Sequence, residues 1–154
     1  MRRHLLTVLA GGLLATPAGL VAGDQPRIDE LPDSSGSVGI VMYITDVGDR
    51  TNRVERPVTV LPDGSRRTGL YVQYGESALT IPWASIVKVD VCRTNARSLA
   101  ATVTSLGGKS NDFTVVQESQ VIVGWTKACG TSCQVEIPLK AVKTIDAARE
   151  DGRR

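Results

Sequence analysis

Ile81-Pro82-Trp83-Ala84-Ser85-Ile86-Val87-Lys88-Val89-Asp90 has a second version in the chain, Ile137-Pro138-Leu139-Lys140-Ala141-Val142-Lys143-Thr144-Ile145-Asp146. Both read Ile-Pro, a large apolar residue, two variable positions, Ile or Val, two more positions, then Val or Ile and Asp. The residues upstream also match: Leu70, Val72 and Tyr74 with Val121, Val123 and Trp125, and Leu79 and Ile81 with Val135 and Ile137. Self-similarity of this kind is the first thing to settle in a sequence, and two copies mean a duplicated module rather than a solenoid.

Each copy has a local physical meaning. Alternating apolar residues that end at Ile81 or Ile137 form a half-buried strand. The proline cannot donate a ladder hydrogen bond, so pairing stops there or the strand is an edge. The next apolar pair, Ile86 and Val89 or Val142 and Ile145, is spaced by three, which suits one 3₁₀ turn feeding a new strand. Each copy is therefore strand, proline, tight turn, strand.

This Ile-Pro step, turn and strand resemble the closing segment of SH3-like small β-barrels. The resemblance implies an all-β fold of five-stranded modules. It does not bring proline-peptide binding with it, because that groove needs a Tyr where this chain has Ile86 and Val142. Bacterial SH3-like domains in exported proteins often bind cell-wall peptides, so the resemblance also implies peptidoglycan as one expected partner.

Working outward, short strand-like segments fill both copies. The first module is expected over residues 38–92 and the second over residues 93–146. Pro62-Asp63-Gly64-Ser65 reads as a type I turn followed by a left-handed residue. Gly107-Gly108-Lys109-Ser110 imitates the end of a phosphate-binding loop, but Val103 occupies the position of the required earlier glycine, so a hairpin turn is expected. No stretch of ten residues after the N-terminal segment shows helical periodicity. A module of about 50 residues has a marginal core. The duplication is therefore expected to form either tandem small barrels or one fused β-sandwich or barrel.

Residues 1–23 read as a signal peptide. Arg2 and Arg3 precede an apolar run from Leu5 to Leu14 that is too short to span a membrane comfortably, and Pro17 lies among small residues. Removing Arg2 and Arg3 lowers the 18 Lys plus Arg to 16, level with the 16 Asp plus Glu. A neutral mature chain gives no electrostatic reason to expect nucleic acid or an anionic membrane as partner. His4, the single histidine, leaves with the signal, which excludes histidine-dependent catalysis and histidine-ligated metal from the mature chain. Residues 24–37, rich in Pro, Ser, Gly and Asp, read as a flexible leader. Residues 147–154 read as a charged, frayed tail.

Cys92, Cys129 and Cys133 form an odd set for an oxidising compartment. A Cys129–Cys133 disulfide across a hairpin is expected, with Cys92 buried; pairing of Cys92 with one of them is the alternative. Three intervening residues in a β context do not suit a redox catalyst. Tyr74 and Trp125 fall at matched positions on the inward face and are expected in the core. Tyr71, on the opposite face, and Trp83, after the proline, are the expected partner contacts. Asp46 and Asp49 read as loop solvation, and no carboxylate spacing suits calcium.

These features predict an exported, periplasmic or secreted, non-catalytic binding module of the bacterial envelope, with an envelope protein or peptidoglycan as partner. No catalytic, cofactor-binding or metal-binding residue is expected. A small inhibitor or immunity-type protein, presenting the Cys129–Cys133 loop, is the second reading. A hydrolase that works without histidine is the third.

Overall fold

The computed structural model describes residues 39–94, 99–116, 119–128 and 130–150. The expected signal peptide (1–23), leader (24–37) and last tail residues (151–154) lie outside them.

The described chain is all-β. Its strands are β1 (Ile40–Asp46), β2 (Thr51–Val60), β3 (Arg66–Arg67), β4 (Gly69–Tyr74), β5 (Ser77–Pro82) and β6 (Ile86–Arg93) in the first copy. The second copy contributes β7 (Leu99–Ser105), β8 (Ser110–Val115), β9 (Val121–Ala128), β10 (Thr131–Pro138) and β11 (Val142–Arg149). The two expected 3₁₀ turns are present at Trp83–Ser85 and Leu139–Ala141. Each starts after its proline and feeds a strand, as the spacing requires. The tail was expected from Ala147, but β11 continues to Arg149. Arg149 pairs with Ile40, and the Glu150 N–H donates to the Gly39 carbonyl at 2.9 Å. Cross-strand partners on β1 order a segment that local composition alone marks as fraying.

All pairings are antiparallel, and the strands form one continuous curled sheet in the order β10-β9-β2-β1-β11-β6-β7-β8-β4-β5, with β3 on β2. The arrangement is the fused one of the two expected. Equating β1 with β7, β2 with β8, β4 with β9, β5 with β10 and β6 with β11 turns the order into its own mirror sequence. The chain therefore has internal two-fold pseudosymmetry. Its axis passes through the β6–β11 seam, where Val89 faces Ile145, its own equivalent in the repeat.

Neither half of the sheet belongs to one copy. Strands β1 and β2 of the first copy lie with β9, β10 and β11 of the second. Strands β7 and β8 of the second lie with β4, β5 and β6 of the first. The two copies have exchanged strands within one chain.

The symmetry extends to single hydrogen bonds. The β1–β2 turn donates from the Val47 N–H to the Ala141 carbonyl at 2.9 Å, and the β7–β8 turn from the Leu106 N–H to the Ser85 carbonyl at 3.0 Å. Each turn thus docks on the 3₁₀ turn of the other copy. The left-handed residue of the first is Asp49 (φ 61°) and that of the second is Gly108 (φ 75°). Gly107-Gly108-Lys109-Ser110 is accordingly the expected hairpin connection.

One inner face carries the core, which includes Met42, Ile44, Leu70, Val72, Val89, Ile122 and Ile145 from both copies. Fully burying such a side chain contributes about 1.5–3 kcal/mol. Trp83 and Leu139, equivalent residues of the 3₁₀ turns, are both buried here.

Candidate functional site

At one end of the sheet lies β5, whose outer side has no strand beside it among the described residues. Its sequence, Ser77 to Pro82, contains no charged residue. The hairpin joining it to β4 turns through Gly75 and Glu76, so Tyr74 and Ser77 close it as the hydrogen-bonded pair. By alternation, the backbone groups of Ala78 and Thr80 point away from β4, toward any strand added at this edge.

Tyr71 stands directly opposite Thr80. It is half-buried, and the Arg67 guanidinium carbon lies 6.0 Å from the centre of its ring. Its carbonyl accepts from Gln120 Nε2 at 2.7 Å. Tyr71 thus places an aromatic ring beside an open edge, on the solvent face as the alternation predicts. Arg67, Ala78 and Thr80 were not legible as surface candidates from motifs. The absence of charge in β5 was the one available signal.

Trp83, the other expected contact, needs correction: it is 1% exposed. The 3₁₀ turn folds the residue after the proline back over the core, anchored by the Trp83 N–H donating to the Thr68 carbonyl at 3.1 Å. Tyr74 is the reverse case, expected in the core but 62% exposed. It lies at the hairpin tip beyond the core and packs against Phe113, with ring centres 5.6 Å apart and planes at 55°. Trp125 is half-buried opposite Glu55.

The cysteines also depart from expectation. Cys92 is exposed, not buried, because it falls on the solvent face near the end of β6. Cys133 is a free, exposed thiol, so the Cys129–Cys133 staple is not formed. Thr131 pairs with Ala128, and Cys133 sits within β10 opposite Thr126. Cys129 lies outside the described residues.

Asp46 and Asp49 organise the β1–β2 turn. Asp46 accepts from the backbone N–H groups of Arg50 at 3.0 Å and Gly48 at 2.8 Å, and from Arg50 Nε at 3.0 Å. The Arg50 backbone bond is the main cause holding its carboxyl below the ordinary value, and burial opposes it. Asp49 pairs with Lys143 at 2.6 Å. Glu55, beside Arg53, and Asp63, beside Ser65, are also lowered. These shifts favour fixed negative charge, the opposite of what a general acid needs. Among the described residues, no group of three or more His, Cys, Asp or Glu could hold a metal ion, and no helix is long and apolar enough to cross a membrane.

No protein-family model, curated protein or solved structure matches this chain.

Proposed function

We propose that this is an exported, non-catalytic binding module of the bacterial envelope, and that it engages a protein partner by adding an extended segment to β5. The observation that carries the reading is the unguarded edge. Exposed edge strands are usually blunted by charge, by internal proline or by a bulge, and β5 has only its terminal Pro82. Strand addition gives affinity through backbone hydrogen bonds and specificity through flanking side chains. Here the flanking group is Tyr71 with Arg67 over its ring. The signal-like N-terminus supports export, and a mature chain without histidine supports binding over catalysis.

The test is gentle affinity co-purification from the envelope fraction with quantitative mass spectrometry, comparing the unaltered protein with Thr80→Pro. The substitution removes an outward N–H without touching the β4 ladder. A near-stoichiometric protein recovered by the unaltered chain and lost with Thr80→Pro is the expected result. Equal recovery by both would remove β5 from the interface. Recovery of peptidoglycan fragments without protein would favour the wall instead.

A further inference from the structure

Away from β5, a groove of about 340 Å³ opens beside the β6–β11 seam. Its apolar lining is Val47 from the β1–β2 turn, Val91 of β6, Leu99 of β7 and Val142 of β11. Val47 is 70% exposed, an aliphatic side chain left in water at the rim. Three cations complete the lining, Arg93, Lys140 and Lys143. Lys143 is paired with Asp49. Arg93 and Lys140 have no acidic partner among the described residues.

The pseudosymmetry supplies an internal comparison. In the equivalent position across the axis, Ala84 and Val87 replace Lys140 and Lys143, and Ala147 replaces Val91. The remaining cation there, Arg149, donates its guanidinium to the Ala84 carbonyl. One copy of the groove thus ties down its single arginine, whereas the other carries two lysines and leaves its arginine without an acidic partner among the described residues. Duplication alone accounts for neither lysine.

We propose that this groove binds a medium-chain acyl carboxylate, with the chain along Val47, Val91, Leu99 and Val142 and the carboxylate between Arg93 and Lys140. The charge complementarity is direct: two unneutralised cations flank an aliphatic floor, and charge-assisted hydrogen bonds to a carboxylate are the strong kind. On their other sides β6 and β11 are paired with β7 and β1, and the Val47 N–H is taken by the Ala141 carbonyl. The β6–β11 ladder itself joins only Lys88, Val89 and Asp90 to Asp146, Ile145 and Thr144, so a peptide is the competing occupant, and the tripeptide comparison decides between the two. The inference is independent of the β5 reading and concerns a different surface.

The test is titration of the ¹⁵N-labelled protein with octanoate, followed by amide chemical shifts. Octanol, octylamine, acetate and the tripeptide Gly-Gly-Leu serve as comparison ligands. Octanoate should saturably shift Val47, Val91, Leu99 and Val142 while leaving the equivalents Leu106, Ala147, Ile40 and Ile86 unmoved. The double variant Arg93→Glu/Lys140→Glu, whose side chains are exposed, should keep the melting temperature and bind at least about tenfold more weakly. Equal response of both grooves would overturn the proposal, as would equal binding of octylamine or octanol. Acetate binding as tightly would reduce it to an anion contact, and tighter binding of the tripeptide would overturn the acyl assignment. Unchanged affinity in the double variant would remove the cations from it.

Discussion

Trp83 shows how one residue is fixed by its local geometry. It fills the core from a 3₁₀ turn, yet its indole Nε1 has no hydrogen-bond partner among the described residues. Truncation and removal of the N–H should therefore have different consequences. Trp83→Ala should cost about 3–5 kcal/mol in urea unfolding, as large buried aromatics do. Trp83→Phe should cost far less, because it keeps most of the volume and removes a buried donor whose unmet bond costs about 1–3 kcal/mol. Equal losses would mean that the indole nitrogen is satisfied.

Asp46 carries a pH dependence at the same scale. Its folded-state pKa lies below the ordinary value of 3.8. The stabilisation is thus complete above that value and is lost as pH falls through the lower, folded-state pKa. In thermal melts, Asp46→Asn should lower the melting temperature at neutral pH and should show a smaller further decline from about pH 4 downward. Parallel declines in the two proteins would place the acid sensitivity elsewhere.

Among elements, closeness of backbone decides more than composition. A Cβ on Gly69 would lie 2.2 Å from the Ile81 carbonyl oxygen. Gly69→Ala must push β4 and β5 apart, and overpacking of this kind costs about 1–3 kcal/mol; hydrogen exchange should show the loss concentrated in β5. Gly124 is similarly confined, with the Val54 Cγ1 at 2.4 Å and the Glu55 carbonyl oxygen at 2.7 Å. Its neighbour is the bulge between Glu55 and Val58, where Arg56 has a φ of 50°.

Much of the element plan was legible, because β7, β6 and the Ile-Pro turns are marked by alternation, proline and apolar spacing. The register of β9 was not. Matching Leu70 to Val121 puts Trp125 inside, but the ladders pair Leu70 with Ile81 and Ile122 with Ile137, so Leu70 corresponds to Ile122. A shift of one residue exchanges the faces of a strand. The start of β2 was also hidden, since Thr51-Asn52-Arg53 looks like loop until β1 pairs with it. Of the candidate site, the place of Tyr71 on the solvent face of β4 follows from alternation. Trp83 was misplaced because the sequence shows the turn but not the surface onto which the turn folds.

At the scale of the whole molecule, the exchanged strands determine how the chain comes apart. Cutting between Arg93 and Leu99 separates the two copies covalently, yet each half-sheet still needs strands from both. A protease site introduced into residues 95–98, once cleaved, should leave two fragments that co-elute at the mass of the intact protein and part only in denaturant. Separation in native buffer would contradict the exchanged order. Duplication was visible in the sequence, but exchange was not, because both strand orders bury the same apolar faces and differ only in which connections cross.

The pairing of β1 with β11 has a mechanical consequence. Ile40 lies opposite Arg149, and Gly39 is bonded to Glu150, so the two ends of the described sheet lie at the same point near its middle. Tension applied through those ends loads the β1–β11 hydrogen bonds one at a time, like a zip, rather than all together in shear. The molecule would therefore yield to a weak pull, opening along its central line while both outer hairpins stay closed.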